Sequence, residues 1–281
     1  MKKIKLNNGI YMPIFGIGTF MIEPDDAERS VEFALKNGYR LIDTANAYMN
    51  ERAVGRGIKK SGIPREKIFV STKLWPSVYE DDLAVDKTLE RLGLEYIDLL
   101  FIHQPTSNWK EGYKKLENAY KKGKIRAIGI SNFEGKYIEE LLQICEIKPQ
   151  VIQVEAHPYF TQNELRKVVD KEEIKIMSWY PLGHGDSSLI NESIFTELAN
   201  KYNKSNAQII LRWHTQMGFI IIPGTKNEEH ILQNADIFDF ELTSEEISEI
   251  AKINKNKRYY IRTDLQLEQF KNWAPNFDSQ K

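Results

Sequence analysis

The sequence has a single cysteine, Cys145, among its 281 residues. One cysteine excludes an intrachain disulfide and a cysteine-based zinc site, and it is typical of a reducing compartment. The sequence also lacks an apolar run of 18 residues, so we expect no transmembrane helix. Its beginning, Met1–Gly9, has no apolar segment of the kind found in signal peptides. We therefore expect a cytoplasmic protein. We also expect no bound metal, because His184 and His214 have no ligand partners at metal spacing.

The chain also has little net charge, because 39 Lys+Arg face 40 Asp+Glu for a formal charge of −1. Binding to nucleic acid or to an anionic membrane requires a basic excess or stripe, so neither partner is expected. With 41% hydrophobic and 28% charged residues, the composition is that of an ordinary globular protein. No linker divides the chain, and we predict one domain over residues 1–281 that acts as a monomer.

Eight short apolar runs recur along the chain, and amphipathic helical stretches separate many of them. The runs are Phe15–Gly18, Arg40–Ile42, Ile68–Val70, Ile97–Ile102, Ile125–Ile130, Val151–Val154, Ile174–Met177 and Phe219–Ile222. Short, nearly continuous apolar strands are typical of parallel sheets that are buried on both faces. Apolar residues three and four apart predict helices at Asp82–Leu92, Trp109–Lys121, Gly135–Cys145, Asn163–Lys171 and Asn206–Thr215. Eight such units predict an α/β protein, a (β/α)8 TIM barrel rather than an open doubly wound sheet.

The two ends of the chain lie outside this repeat. Lys3–Leu6 and Ile10–Met12 flank Asn8-Gly9, which predicts a β-hairpin with a type I′ turn beneath the barrel. Beyond the eighth unit, we predict a helix over Ser244–Ile253 and an aromatic, irregular tail over Lys255–Lys281.

Catalytic groups of such barrels lie at the C-terminal ends of the strands. Asp43 follows the second run with Tyr48 five residues later, Lys73 follows the third, and His103 follows the fourth. A nearby ammonium stabilises a phenolate, a carboxylate keeps that ammonium charged, and a histidine can orient a carbonyl. Each residue alone has an ordinary structural explanation. The complete set in strand order favours acid–base catalysis.

Longer motifs resemble those of the aldo-keto reductase superfamily over nearly the whole chain. The matching strings are Gly16–Phe20, Asp43–Ala45 with Tyr48, Thr72–Trp75, Asp98-Leu99 with His103, Gly129–Phe133, Gln153–Pro158 and Tyr180–Gly183. The resemblance implies a reductase that passes hydride from a nicotinamide cofactor to an aldehyde or ketone. It further implies that Tyr48 is the general acid, that Lys73 and Asp43 tune it, and that His103 orients the carbonyl oxygen.

The resemblance also implies the cofactor contacts. Ser131, Asn132 and Gln153 would hold the nicotinamide carboxamide, and Trp179 would stack on its ring. The other implied cofactor residues are Gly18, Thr19, Phe20, Leu182, Thr225, Lys226 and His230, together with Gln233 and Asn234 at the adenine.

Two departures from the family pattern bear on specificity. Gly224 and His230 stand where many NADPH-preferring members have lysine and arginine, which weakens a 2′-phosphate site. Because Lys226 remains nearby, we expect NADPH, with NADH as the rival cofactor.

Gln104 replaces the family's tryptophan and is followed by a short loop, which predicts an open substrate pocket. That pocket is expected to be lined by Phe20, Trp75, Trp109 and Trp273 or Phe277.

Two other functions remain open from the sequence. One is a cofactor-binding redox sensor or regulatory subunit of the same fold, which the complete set of four residues disfavours. The other is an aldolase that forms a Schiff base at Lys73, since barrel lysines also act as nucleophiles.

Overall fold

A computed structural model describes residues 2–281 of the chain. Within them, the strands are β1 (Lys3–Lys5), β2 (Tyr11–Pro13), β3 (Ile17–Gly18), β4 (Leu41–Asp43), β5 (Phe69–Leu74), β6 (Leu99–Ile102), β7 (Ile128–Ser131), β8 (Val151–Glu155), β9 (Lys175–Trp179) and β10 (Ile220–Ile221). The helices are α1 (Pro24–Lys36), α2 (Glu51–Ser61), α3 (Ala84–Leu92), α4 (Trp109–Lys121), α5 (Lys136–Ile144), α6 (Asn163–Val169), α7 (Ser187–Ile190), α8 (Ser193–Tyr202), α9 (Asn206–Gln216), α10 (Glu228–Ala235), α11 (Ser244–Ala251) and α12 (Asp264–Asn272).

Strands β3 to β10 form a parallel sheet in which each strand pairs with the next one in the chain. The two edges of this sheet meet: Phe15 bridges to Ile221, Gly18 bridges to Gly224, and the amide of Gly16 donates to the carbonyl of Ile221 at 2.9 Å. Helices surround the sheet, and their apolar faces join the strands in one continuous hydrophobic cluster. The predicted (β/α)8 barrel is confirmed, whereas the single domain over residues 1–281 and the monomeric state stay predictions.

Several strands extend beyond the predicted apolar runs and include the polar residues that follow those runs. β4 ends at Asp43, β7 at Ser131 and β8 at Glu155, while β5 runs through Lys73 to Leu74. The ladder hydrogen bonds therefore continue up to the barrel mouth. Side chains on rigid strand backbone are held more precisely than side chains on loops.

The hairpin lies beneath the barrel, as predicted. The side-chain amides of Asn7 and Asn8 donate to the carbonyls of Pro149 and Arg126, each at 3.0 Å, just before β8 and β7. The predicted type I′ turn is wrong, since that turn needs a positive φ at both central residues and only Gly9 has one. The three-residue loop instead bonds the Gly9 amide to the Leu6 carbonyl at 2.9 Å.

The tail is more regular than predicted. Helix α12 begins after Thr263, whose hydroxyl accepts a hydrogen bond from the Gln266 amide while the Gln266 side chain accepts one from the Thr263 amide. This reciprocal cap satisfies two backbone N–H groups at the helix start. The prediction of an irregular tail over Lys255–Lys281 is therefore wrong for these nine residues.

Other helix boundaries move by a few residues. Helix α3 begins two residues later than predicted, at Ala84, and α6 ends at Val169 before a 3-10 turn over Asp170–Glu172. Thr243 caps α11, which begins at Ser244 as predicted and ends at Ala251, two residues earlier than predicted. Across residues 2–281, none of the helices combines the length and the apolar character needed to cross a bilayer.

Helices α2 and α3 approach each other so closely that only glycine fits at the contact. A Cβ atom on Gly55 would lie 2.1 Å from the carbonyl oxygen of Leu92, which is backbone and cannot rotate away. Alanine gains about 1 kcal/mol over glycine inside a helix, but overpacking costs roughly 1–3 kcal/mol. We expect Gly55→Ala to lower the free energy of unfolding by about 1–2 kcal/mol in urea denaturation. Lys59→Ala, an exposed change in the same helix, is the control and should stay within about 0.5 kcal/mol; wild-type stability in the Gly55→Ala variant would contradict the packing argument.

Candidate active site

A cavity of about 920 Å³ opens at the C-terminal ends of the barrel strands. Its walls combine strand ends, the loops that follow them and the tail. They are lined by Gly18, Phe20, Met21, Asp43, Ala47, Tyr48, Trp75, His103, Gln104, Ser131, Asn132, Gln153, Trp179, Tyr180, Pro181, Leu182, His184, Gly185, Ile190, Ile222, Pro223, Gly224, Tyr260, Gln269, Phe270 and Trp273. A cavity of this size, with convergent polar groups on a largely apolar wall, is typical of a cofactor or substrate site.

At the base of the cavity, Lys73 and Asp43 form a buried ion pair. The Lys73 Nζ atom lies 2.6 Å from Asp43 Oδ2, and the two side chains are 0% and 2% exposed. Lys73 also donates to the Thr44 carbonyl at 2.8 Å, and Asp43 Oδ1 accepts hydrogen bonds from Ser71 at 2.7 Å and Gln153 at 3.2 Å. Burial lowers the pKa of Lys73, while Asp43 acts against that shift. The polar atoms of the pair are thus well supplied with partners.

Tyr48 belongs to a 3-10 turn, Asn46–Tyr48, that connects β4 to α2. Lys73 Nζ lies 4.9 Å from the centroid of its ring. Burial raises the pKa of the Tyr48 phenol well above 10, and Asp43 adds to this effect. The sequence argument relied on stabilisation of the phenolate by the Lys73 ammonium. That stabilisation therefore does not set the net direction of the Tyr48 pKa shift. Tyr48 keeps its proton at neutral pH, as a proton donor must.

His103 follows β6 and stands beside Tyr48. Its ring centroid lies 5.8 Å from that of Tyr48 and 5.0 Å from that of Trp75, in edge-on contacts that restrain the imidazole. Burial, together with the Lys73 charge, lowers the pKa of His103 well below its usual range. The ring is therefore neutral at physiological pH, with one nitrogen protonated and the other an acceptor.

Amide and hydroxyl groups gather on the wall beside this set. Asn132, with a left-handed φ of 65°, donates through Nδ2 to Ser131 Oγ at 3.2 Å, and its Oδ1 accepts a hydrogen bond from Trp179 Nε1 at 3.2 Å. Gln153 lies beside them on β8, in register with Ser131 of β7, and donates to Asp43. Hydroxyl, amide and indole groups are the partners that a planar ring bearing a carboxamide requires. The residues present therefore fit a nicotinamide group.

The remaining predicted residues fall into two groups. Gly18, Phe20, Leu182, Trp75 and Trp273 line the cavity as expected. The others lie off the wall: Thr19, Thr225, Lys226, His230, Gln233 and Asn234. Of these, Thr19 is fully buried and donates to the carbonyl of Asp43 at 3.2 Å, so it supports the site from behind.

The loop after β10 and helix α10 carry the rest of the second group. Lys226 is exposed and pairs with Asp26 of α1 at 3.1 Å. Asn227 caps α10 by accepting hydrogen bonds from the amides of Glu229 and His230. None of these residues lines the cavity, whose wall in this part of the chain ends at Gly224.

The assignment of Trp109 to the substrate pocket needs correction. This side chain is 3% exposed, and its ring packs on Phe133 with centroids 5.3 Å apart, outside the cavity wall. Trp109 is the first residue of α4, where an apolar side chain turns into the layer between helix and sheet. The alternative tail residue, Phe277, is also buried and off the cavity wall, whereas Trp273 lines it.

Sequence reasoning missed most of the tail's contribution. Gln269 and Phe270 of α12 line the cavity, and the Phe270 carbonyl accepts a hydrogen bond from Trp75 Nε1 at 2.9 Å. The capping pattern formed by Thr263 and Gln266 was the available signal for this helix. Tyr180 and His184, which follow β9, were missed as well.

A buried carboxylate fastens the tail to the barrel mouth. Glu155 is fully buried and accepts hydrogen bonds from the backbone amides of Tyr259 at 2.6 Å and Tyr260 at 3.2 Å. His157 Nε2 lies 2.9 Å from the same carboxylate. The contacts bring the Tyr260 ring to the cavity wall, so Glu155 supports the mouth of the barrel.

The fold and this site define an oxidoreductase barrel. The profile of the Aldo/keto reductase family matches residues 14–255, and the chain belongs to that family, whose members use nicotinamide cofactors. It is 49% identical to a glyoxal reductase of Bacillus subtilis (strain 168) over 260 residues, 91% of this chain and 94% of that protein. It is 44% identical to a 9,11-endoperoxide prostaglandin H2 reductase of Trypanosoma cruzi (strain CL Brener), over 91% of this chain and 92% of that one. A Bombyx mori aldo-keto reductase solved in complex with NADP matches with a TM-score of 0.87 at 34% identity, over 99% of each chain.

Removal of the carboxylate from the buried ion pair should be costly. In Asp43→Asn, the Lys73 ammonium loses its counter-ion, which destabilises the fold by roughly 3–5 kcal/mol at pH 7. Lys73 then releases its proton more readily in the folded state than in the unfolded chain, so stability recovers as the pH rises towards about 10. Urea denaturation between pH 7 and pH 9.5 measures both effects.

Asp26→Asn is the matched control, because it removes the carboxylate that faces the exposed Lys226. Exposed pairs contribute about 0–1 kcal/mol, so this variant should remain close to the wild type at every pH. Equal destabilisation of the two variants would contradict the special cost of the buried pair.

Proposed function

We propose that this protein is an NADPH-dependent reductase of aldehydes and ketones, with Tyr48 as the general acid. The observation that carries the proposal is that Tyr48 and His103 face one cavity above the buried Lys73–Asp43 pair. Burial raises the pKa of Tyr48 and lowers that of His103, which favours the uncharged form of both rings. The Ser131 hydroxyl and the side-chain amides of Asn132 and Gln153 line the same cavity. When bound, the reduced nicotinamide supplies the hydride.

The reaction requires a proton at the carbonyl oxygen as the carbon is reduced. The Tyr48 hydroxyl donates that proton, and its O–H bond breaks as the alcohol O–H bond forms. A phenolate is left beside the Lys73 ammonium, 4.9 Å from the ring centroid, and is stabilised there only once the proton has moved. Proton uptake from solvent then restores the phenol.

His103 has the complementary task of orienting the substrate. A neutral imidazole can donate one hydrogen bond to the carbonyl oxygen without competing for the proton that Tyr48 delivers. Its contacts with Tyr48 and Trp75 hold both donors on one side of the cavity. The names of the two relatives, a glyoxal reductase and a prostaglandin endoperoxide reductase, support a reductive role.

The rival functions find less support in this geometry. A Schiff base requires a free amine at the substrate, but Lys73 Nζ is enclosed by Asp43 and the Thr44 carbonyl and is 0% exposed. A redox sensor needs cofactor contacts and does not need the full acid–base set. We therefore place reduction ahead of both.

The choice of NADPH rests on Lys226 and on the relative solved with NADP. Lys226 is exposed near the Gly224 edge of the cavity, where a 2′-phosphate would find its cation. His230 follows in helix α10 and is also exposed. Thr225 lies between Gly224 and Lys226 in the chain. Gln233 and Asn234 are assigned to the adenine.

The Tyr48→Phe variant should lose turnover but keep its fold and its binding of the cofactor. A general acid contributes about 10²- to 10⁴-fold, so we expect kcat to fall by at least about a hundredfold. Loss of absorbance by NADPH with a panel of aldehydes measures turnover, and tryptophan fluorescence measures cofactor binding. Tyr260→Phe removes another phenol that lines the same cavity and should keep kcat within about twofold. Retained reduction in Tyr48→Phe would remove Tyr48 from the proposed role.

Lys226→Met should weaken NADPH binding selectively. Loss of a charge-assisted contact of about 1.5 kcal/mol raises the Kd for NADPH by roughly tenfold, whereas the Kd for NADH should change by less than about twofold. Fluorescence titration with each cofactor measures both constants. Lys5→Met, an exposed lysine on the hairpin beneath the barrel, is the control. Equal loss for both cofactors would show that Lys226 does not read the 2′-phosphate.

A further inference from the structure

The turn that carries Tyr48 is contacted from behind by a segment of the tail, residues 277–280. Gln280 is 7% exposed, and its side-chain amide reaches both ends of the stretch 46–52. Its Nε2 atom donates to the Asn46 carbonyl at 3.4 Å, and its Oε1 atom accepts a hydrogen bond from the Arg52 amide at 3.4 Å. One side chain therefore spans the turn on which Tyr48 is mounted.

A second line of contacts joins the same segment to the strand that carries Lys73. Asp278 Oδ1 accepts a hydrogen bond from Arg91 Nη1 at 2.8 Å, and Arg91 Nε donates to Glu51 Oε2 at 2.6 Å. Glu51 Oε1 in turn accepts the hydroxyl hydrogen of Thr72 at 2.7 Å. Thr72 directly precedes Lys73 in β5, so the chain of contacts ends at the catalytic strand.

The charges along this line are largely withdrawn from water. The Glu51 and Arg91 side chains are 0% and 4% exposed, whereas that of Asp278 is 49% exposed. A buried pair of this kind needs every remaining donor satisfied, because an unpartnered guanidinium N–H group is costly to bury. Asp278 supplies that partner for Arg91 from the tail.

Phe277 packs the segment against the preceding part of the tail, at Trp273. It is 5% exposed, and its ring contacts that of Trp273 with centroids 6.1 Å apart. Neither Asp278 nor Gln280 lines the cavity. Their own side-chain contacts instead reach residues 46–52 and the Arg91–Glu51 pair.

We propose that the tail segment 277–280 is a positioning element for Tyr48, in which Gln280 clamps the turn 46–52 and Asp278 completes the Arg91–Glu51–Thr72 line beneath it. The inference rests on the proposed role of Tyr48 as the general acid. Proton transfer demands a donor within hydrogen-bond reach of the substrate oxygen, and small displacements of a catalytic group reduce the rate steeply. The clamp therefore acts on kcat, while substrate and cofactor contacts on the cavity wall are unchanged.

The test uses the full chain with Gln280→Met, Asp278→Ala and the double variant, because alanine removes the oxygen that accepts the hydrogen bond from Arg91. Methionine keeps the size of the glutamine side chain without its polar atoms, so packing is preserved while both hydrogen bonds are lost. Loss of about 1 kcal/mol of positioning free energy lowers kcat about fivefold in Gln280→Met, and we expect a fall of more than about tenfold in the double variant. KM for the aldehyde and Kd for NADPH should stay within about twofold.

Ser279→Ala is the matched control from the same segment. Ser279 is exposed, and its hydroxyl donates only to the Asn276 carbonyl inside the segment, so kcat should not change. A kcat within about twofold of the wild type in the double variant overturns the proposal. A raised KM with unchanged kcat also overturns it, because that result assigns the segment to substrate binding.

Hydrogen exchange provides a readout that does not depend on catalysis. The amides of Tyr48 and Met49 bond to the carbonyls of Ala45 and Asn46 at 3.0 and 3.2 Å. We expect a peptide spanning residues 45–54 to exchange faster in Gln280→Met and in the double variant, but not in Ser279→Ala. Unchanged exchange overturns the clamp even where kcat falls. If Tyr48→Phe retains turnover, the proposed function fails separately, and exchange in this peptide still decides whether the segment holds the turn.

Discussion

The buried ion pair between Lys73 and Asp43 is the interaction on which the rest of the site depends. An ion pair out of water is tolerable only when each partner is held in good geometry with its other polar atoms bonded. Here those bonds come from Ser71 beside Lys73 on β5, from Gln153 on β8 and from the Thr44 carbonyl that follows β4. A register slip between β4 and β5 would break the pair, so the pair ties the barrel's register to its active site.

The same pair lets two neutral groups face the cavity. Burial raises the pKa of Tyr48 and lowers that of His103, so both rings are uncharged near neutral pH. A carbonyl compound is itself neutral, and it can therefore enter without meeting an unbalanced charge. In the proposed reaction, negative charge on Tyr48 would arise only as its proton leaves, and Lys73 would then stabilise it. An interaction that strengthens along the reaction is the kind that accelerates it.

Most of the barrel and the set of four residues could be predicted from the sequence, because both follow from a local pattern of apolar runs with polar ends. Trp109 could not be placed, since its position after a strand does not tell which way the first turn of α4 faces. The sequence also could not predict whether the pKa of Tyr48 is raised or lowered, because that shift depends on how deeply the phenol is buried. The contact between Gln280 and Asn46 joins residues 234 positions apart, with no repeating pattern to indicate it.

The repeated strand–helix units and the tail contribute different parts of the site. Strand ends of the repeated units supply Asp43, Lys73 and the amide groups, which need the stiffness of a hydrogen-bonded ladder. The tail supplies surfaces that the repeat cannot: Phe270 lies against Trp75 at the cavity wall, Glu155 anchors the backbone of Tyr260, and Gln280 touches the turn of Tyr48 from behind. Because the tail meets the cavity on one side and the turn of Tyr48 on the other, we expect changes in the tail to alter both the shape of the pocket and the position of the proposed acid.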